Sequence, residues 1–189
     1  AGAAIRRLDG APKLDGSEAF GDDVAPPDTL EILVIRSPFP RAGFRFGDLD
    51  GWLAGQAGMA AVLTAADVPG RNVFGVIPAF ADQPAFAEDV ARFRGEAVAA
   101  VVGTPETIRG FDPATFPVTW QELPPVMTPA EAEASGAPLL HEGRAGNLMC
   151  KGFVACGDAG AALAAADVTV EARFTSGFVE RAYIEPEAG

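Results

Sequence analysis

Cysteine, histidine and tyrosine are scarce in this sequence, so it has few of the side chains that hold metals or carry out redox chemistry. The 189 residues include two cysteines, one histidine and one tyrosine. The spacing of Cys150 and Cys156 matches neither a Cys-x-x-Cys redox motif nor a zinc-ligand set. An iron–sulfur cluster takes about four thiolates, so this chain cannot complete one alone. We expect free thiols in a reducing compartment, with a disulfide between the two cysteines as the alternative.

Positive charge is also scarce, and long apolar runs are missing. Lysine and arginine number 14 against 26 aspartate and glutamate residues, which gives a net charge of −12. This balance disfavours nucleic acid and anionic membrane surfaces as partners, because both attract basic proteins. No apolar stretch reaches the roughly 18 residues of a transmembrane helix, and the N-terminus lacks the apolar core of a signal peptide. The sequence therefore predicts a cytoplasmic protein, unless a partner subunit carries an export signal.

The sequence does contain enough apolar residues to bury a core. Hydrophobic residues make up 49% of the chain and charged residues 21%, as in globular domains, and the length fits one large or two small domains. Apolar or alternating runs between prolines and glycines predict strands, at residues 30–36, 43–46, 59–64, 97–102, 116–120 and 168–174. Capping residues predict a short helix over residues 48–56, with Asp48 as its cap, and a turn over residues 65–67 that Thr64 caps. Proline at the first helical position predicts a helix start at Thr104-Pro105, and an acidic first turn predicts a helix over residues 158–166.

This order of elements predicts a mixed α/β domain over residues 10–126. One core is expected to contain six residues from its strands, namely Leu33, Ile35, Val62, Val98, Ala100 and Val118. Between residues 123 and 153 prolines and glycines break the pattern, which indicates an extended linker. The helix and strand over residues 158–174 then begin a second, incomplete domain within residues 127–189.

Charged residues that could carry chemistry have simpler explanations. His141 and Glu142 could form a histidine–carboxylate pair for a general base, but no nucleophile or metal-ligand set accompanies them. A solvent-facing loop histidine is the favoured interpretation. Glu185 and Glu187 fall on one face of a strand-like segment that also contains Glu180-Arg181, which indicates surface charge.

Neither the glycine-containing loops nor the aromatic residues indicate a functional site. Residues 103–105 and 143–147 contain glycine without a phosphate-binding pattern, which indicates turns. No cluster of basic residues accompanies the aromatic residues Phe39, Phe44 and Phe46, so their side chains are expected in the core. We therefore assign no catalytic, cofactor-binding or metal-binding residue.

Short sequence blocks, in a fixed order, carry more information than any single residue. Three of them lie close together: Arg36-Ser37-Pro38, Asp67-Val68-Pro69-Gly70 after an apolar strand, and Gly95-Glu96-Ala97-Val98-Ala99. Others frame these three: Lys13-Leu14-Asp15-Gly16, Asp82-Gln83-Pro84, Glu122-Leu123-Pro124-Pro125-Val126, His141-Glu142 with Gly146-Asn147, Gly157-Asp158 with Ala165-Ala166-Asp167-Val168, and Ile184-Glu185-Pro186-Glu187. Together they resemble the N-terminal α/β hammerhead domain of the large subunit of molybdenum hydroxylases, the aldehyde oxidase and xanthine dehydrogenase family.

The resemblance implies a fold and a parent enzyme. It implies a mixed-sheet α/β hammerhead domain over residues 10–126, followed in residues 127–189 by a linker and the first strand and helix of a molybdopterin-binding domain. The parent enzyme hydroxylates an aldehyde or an N-heterocycle such as a purine, with oxygen from water. It holds a molybdopterin cofactor and a catalytic glutamate beyond Gly189, and passes electrons to iron–sulfur clusters and FAD on partner domains or subunits. The chain alone is expected to bind none of these groups and to be inactive.

Departures from the family pattern leave three interpretations open. Phe39 and Pro40 follow Ser37-Pro38 where the family has histidine and alanine, and Arg181 stands where it often has histidine. The chain is a piece of the enzyme, a non-catalytic assembly module with the same fold, or an unrelated acidic α/β binding domain. The sequence stops directly after an apolar segment, which favours the first interpretation, that the chain is a piece of the enzyme. That segment is expected to expose an apolar edge, formed by Phe178, Val179, Tyr183 and Ile184, that packs on the remainder of the large chain or self-associates.

Overall fold

A computed structural model describes residue 2, residues 4–177 and residue 179 of the chain. The chain divides into two compact units. The larger unit is Asp28–Gly152, and the second combines the segments on either side of it. No helix in this described part is long and apolar enough to cross a membrane.

A three-stranded antiparallel sheet forms the centre of the larger unit. Its strands, in spatial order, are β1 (Glu31–Arg36), β5 (Ala97–Gly103) and β3 (Met59–Thr64). The middle strand β5 places Val101 opposite Leu33 on one side and opposite Val62 on the other. Its sequence is a continuous run of alanine and valine, as expected of a strand buried on both faces.

A second antiparallel sheet contains three aromatic residues, Phe44, Phe46 and Trp120. Its strands, in spatial order, are β4 (Val90–Ala91), β2 (Ala42–Phe46) and β6 (Val118–Glu122). Phe44 of β2 lies opposite Trp120 of β6, and their ring centroids are 5.5 Å apart. The tilted aromatic pair buries a large area and helps to fix the register of the two strands.

The described residues also form five short helices and several turns. The helices are α1 (Gly10–Asp15), α2 (Leu49–Ala54), α3 (Pro105–Gly110), α4 (Pro129–Glu133) and α5 (Ala159–Ala164). The side chain of Asp48 accepts a hydrogen bond from the Gly51 amide, and that of Thr104 accepts one from the Thr107 amide. Thr64 caps the turn Ala65–Asp67. The predicted caps at Asp48 and Thr64 are confirmed, as is the helix start predicted at Thr104-Pro105. Each cap satisfies an otherwise unpaired amide.

The two sheets share one hydrophobic core. Ile35, Val98 and Val101 from the first sheet lie in the same buried cluster as Phe44 and Ala91 from the second. Of the predicted core residues, Leu33, Val62 and Val118 pack against this cluster as partly buried residues. Ala100 is buried but lies outside the cluster.

The predicted mixture of helices and sheets is confirmed, and all four strand pairings among the described residues are antiparallel. One element is wrong. Residues 168–174 were expected as a half-buried strand, but they have no regular structure and Phe174 is 91% exposed. The alternating pattern is present, yet no neighbouring strand within the described chain pairs with it, and a strand needs such a partner to satisfy its backbone.

The sequence also missed three small elements. Helix α4 forms within the expected linker, and neither helix α1 nor the two-residue strand β4 was predicted. Helix α5 confirms the helix expected after Asp158, whose carboxylate accepts from the Ala161 amide. Of the expected apolar edge, Val179 is 82% exposed, and Phe178, Tyr183 and Ile184 lie outside the described residues.

Candidate functional site

The larger unit contains a cavity of about 710 Å³ with a strongly charged lining. One wall comes from the loops between β3 and β4, and another wall from residues 139–144. Its charged or titratable lining residues have both signs: Arg41, Asp82, Glu88, Asp89, Arg92, His141, Glu142 and Arg144.

Two basic side chains converge on the carboxylate of Asp82 at this cavity. The Nε and Nη2 atoms of Arg144 both donate to Oδ2 of Asp82, with the Nε bond at 2.8 Å. The Nδ1 atom of His141 lies 4.0 Å from the same oxygen. This ion pair links two walls of the cavity that are far apart in the sequence. Hydrogen bonds between charged groups are stronger than those between neutral groups, so the link is stronger than a neutral hydrogen bond would be.

A second arginine joins the same walls. Arg92 Nε donates to the carbonyl oxygen of Leu140 at 2.9 Å, and its Nη1 donates to Oε1 of Glu96 at 2.9 Å. The backbone amide of Arg92 also donates to the other Glu96 oxygen. Glu96 is only 3% exposed. Its buried carboxylate is thus satisfied from two directions and holds the guanidinium in place, as a buried charge requires.

Two asparagines shape the loops that form the walls. The Asn72 carboxamide donates to Phe86 O at 2.7 Å and accepts from the Ala85 amide at 3.0 Å. The Asn147 carboxamide accepts from the Leu140 amide at 2.9 Å and donates to Pro138 O at 2.9 Å. Each asparagine carboxamide supplies hydrogen bonds to backbone groups of the loops that have no backbone partner in the loops themselves.

Arg41 adds a third guanidinium to the lining. Its Nη1 donates to Pro124 O at 3.2 Å, while its Nε is buried without a hydrogen-bond partner in the part of the chain that the structure describes. The cavity therefore offers fixed charges and hydrogen-bond donors. No group of three or more histidine, cysteine, aspartate or glutamate side chains that could hold a metal occurs among the described residues.

The structure places the residues singled out in the sequence as follows. His141 lies in a loop, as predicted, but it is only partly exposed and faces Asp82. The pairing of His141 with Asp82 could not be predicted, because the two residues are distant in sequence and share no periodic element. Cys150 and Cys156 are both exposed free thiols. Phe44 belongs to the core, whereas Glu180, Arg181, Glu185 and Glu187 lie outside the described residues.

Comparisons with known proteins agree on one group. The family profile for the "aldehyde oxidase and xanthine dehydrogenase, a/b hammerhead domain" matches residues 15–110. The chain is 32% identical to a probable xanthine dehydrogenase subunit of Bacillus subtilis (strain 168), over 97% of this chain and 24% of that protein. It is 31% identical to the nicotinate dehydrogenase large molybdopterin subunit of Eubacterium barkeri, over 97% of this chain and 42% of that protein.

Solved structures give the same result. The aldehyde oxidoreductase of Desulfovibrio gigas superposes with a TM-score of 0.69 at 25% identity, over 87% of this chain and 19% of that one. Two small antiparallel sheets around one core, with short capped helices, define an α/β hammerhead domain. The chain belongs to the aldehyde oxidase and xanthine dehydrogenase family. It spans about a quarter of the length of the Bacillus subtilis relative.

Proposed function

We propose that this chain is the N-terminal portion of the large subunit of a molybdopterin-dependent hydroxylase or dehydrogenase. The whole enzyme would oxidise an aldehyde or an N-heterocycle such as a purine, with water as the oxygen source. The observation that carries the proposal is the extent of the match to the Bacillus subtilis relative, which includes 97% of this chain and 24% of that protein.

The proposed domain division follows the resemblance. Residues 10–126 would be the hammerhead domain, and residues 127–189 the linker and the start of the molybdopterin-binding domain. Support for the first comes from the shared core of the two sheets and from the family match over residues 15–110. The partners proposed are the remainder of the large subunit and the iron–sulfur and flavin subunits or domains, in the cytoplasm.

The proposal places the molybdenum cofactor in parts of the enzyme other than the described residues. In support, those residues contain no group of three or more histidine, cysteine, aspartate or glutamate side chains placed to hold a metal, and the sequence has no glycine-rich phosphate-binding loop of known pattern. No catalytic step is therefore assigned to these residues. Their proposed contribution is structural, namely to present a folded surface to the parts of the enzyme that hold the cofactors.

The test is to purify the native polypeptide that contains this sequence with an antibody raised against residues 28–152. We expect a polypeptide several times longer than 189 residues, with stoichiometric molybdenum by mass spectrometry and oxidation of an aldehyde or N-heterocycle. The isolated 189-residue chain serves as the comparison, and we expect it to lack molybdenum, visible absorbance and activity.

Two results would contradict the proposal. A native polypeptide that ends near residue 189 and contains no molybdenum would favour the non-catalytic module. Stoichiometric molybdenum or a visible chromophore in the isolated chain would show that the cofactor is held here after all.

A further inference from the structure

We propose that residues 74–80, here called the apolar loop, are a docking surface for the remainder of the large subunit. The apolar loop lies between β3 and β4 and consists of Phe74-Gly75-Val76-Ile77-Pro78-Ala79-Phe80. Val76 is fully exposed, and Phe74 and Ile77 are more than half exposed. The inference rests on the function proposed above, which supplies the remainder, and it adds which surface of this chain meets that remainder.

The apolar loop differs from ordinary protein surface because its apolar residues are continuous. Single apolar side chains at a surface are common. Here seven consecutive residues contain no charged side chain, in a chain in which 21% of the residues are charged. Arg71 precedes the loop and Asp82 follows it. An exposed apolar patch with polar neighbours marks an interaction site, so the loop is a candidate contact surface.

Backbone contacts hold the apolar loop in a defined shape. The Phe74 amide donates to Gln83 O at 2.8 Å, and Pro78–Phe80 form a 3₁₀ turn. Gly75 lies so close to Ala81 that an added Cβ would be 2.7 Å from the Ala81 Cα atom. Because the loop is already shaped, binding requires little further ordering of its backbone, which favours a docking surface.

Charge argues against a second copy of this chain as the occupant. Each copy would carry a net charge of −12, and like charge of this size opposes the association of identical chains. The apolar loop also offers no charge to pair with a charged partner surface. Its side chains gain most from burial against an apolar surface, so the occupant is expected to present one.

The matched relatives indicate that such an occupant is present in the same polypeptide. The chain spans 24% of the Bacillus subtilis relative and 42% of the Eubacterium barkeri large subunit, so more than half of each polypeptide lies outside the match. A remainder of this kind would be permanently attached to the apolar loop. Permanent interfaces are more apolar than transient ones, which favours the remainder over a separate iron–sulfur or flavin subunit.

Hydroxyl-radical footprinting of side chains, measured by mass spectrometry, tests the apolar loop in two forms of the protein. In the isolated 189-residue chain we expect ready oxidation of Val76 and Ile77, which are exposed there. In the native full-length large subunit, purified free of other subunits, both side chains should lose most of this oxidation. Val101, which is buried in the core, should stay unreactive in both forms and shows that the domain remains folded.

A charged substitution in the apolar loop sharpens the test, with an apolar substitution as its matched control. In the full-length polypeptide, Val76→Asp brings a charge into an apolar contact, so Ile77 should regain much of the oxidation it shows in the isolated chain. Val76→Ile keeps the contact apolar and should leave Ile77 protected. In the isolated chain neither variant should shift the midpoint of urea unfolding, because residue 76 is in solvent. If full-length Val76→Asp does not fold, the footprint of the unsubstituted polypeptide decides alone.

The outcomes separate this inference from the proposed function. Equal oxidation of Val76 and Ile77 in the isolated chain and in a longer, molybdenum-containing polypeptide would overturn the inference and leave the proposed function standing. Protection that requires the iron–sulfur or flavin subunits, or protection in an isolated chain that sediments as a dimer, would also overturn it, in favour of those occupants. A native polypeptide that ends near residue 189 would contradict the proposed function and the inference together.

Discussion

Strand β5 and residues 168–174 were both predicted as strands, but they have opposite environments. In β5, Val98 and Val101 are 0% exposed, whereas Val170 in the other segment is 88% exposed. β5 has hydrogen-bonded neighbours on both sides, and residues 168–174 have no strand assignment. This difference indicates that a β-branched, apolar sequence permits a strand, whereas hydrogen-bonded neighbouring strands are needed for the strand to form.

The largest effect is expected from a charge in the centre of β5. Val101→Asp places an unpaired carboxylate in the core, which costs about 3–5 kcal/mol. Equilibrium unfolding in urea, followed by the fluorescence of the tryptophans in the larger unit, should show loss of most of its stability. The matched variant Val170→Asp should leave the transition unchanged, because that side chain is already in solvent. Equal losses from both variants would mean that the two segments do not differ as described.

Replacing glycine with alanine at two left-handed positions, one in each compact unit, should give a smaller difference in stability. Gly58 has φ +82° and an added Cβ would overlap the Thr107 hydroxyl, whereas Gly157 has φ +68° and open space around it. Gly58→Ala should destabilise the larger unit by about 2–3 kcal/mol, since strain and a clash add to each other. Gly157→Ala should not shift the main urea transition. A larger shift from Gly157→Ala than from Gly58→Ala would contradict this ranking.

Helix caps provide a third comparison. Thr104 caps α3, which packs on the core through Ile108, and Asp158 caps α5, which has no buried residue. Thr104→Ala should lower the free energy of unfolding of the larger unit by about 1 kcal/mol. Asp158→Ala should reduce the helical NMR shifts of α5 and leave that free energy unchanged. Thr104→Ser, which keeps the hydroxyl acceptor, is the control for Thr104→Ala.

How well the sequence predicted each feature depends on whether the residues that determine the feature are close together in the sequence. The cap at Asp48 and strand β3 depend on neighbouring residues, and both were found with nearly their observed bounds. The contact of Arg144 with Asp82 depends on a long loop closure that no periodicity encodes, so the cavity was not predicted. The hammerhead class could be predicted because the order of whole blocks, from Arg36-Ser37-Pro38 onward, carries long-range information that single residues lack.

The smallest effect is expected at Asp15, in the segment before the larger unit. The hydroxyl and the backbone amide of Ser17 donate to its Oδ1, and these bonds lower the pKa of the Asp15 carboxyl, the hydroxyl being the larger cause. Because the pKa in the folded state is lowered, the interaction favours the structured segment above the ordinary aspartate pKa and is lost as the pH falls through the lowered value. Ser17→Ala should therefore raise the pKa of Asp15 towards its ordinary value, as measured by an NMR titration of the side-chain carboxyl. Ser17→Thr, which keeps the hydroxyl, should preserve the lowered pKa. The urea transition of the larger unit should not move in either variant, since Asp15 is exposed, and a shift in that transition would contradict the separation of the two regions.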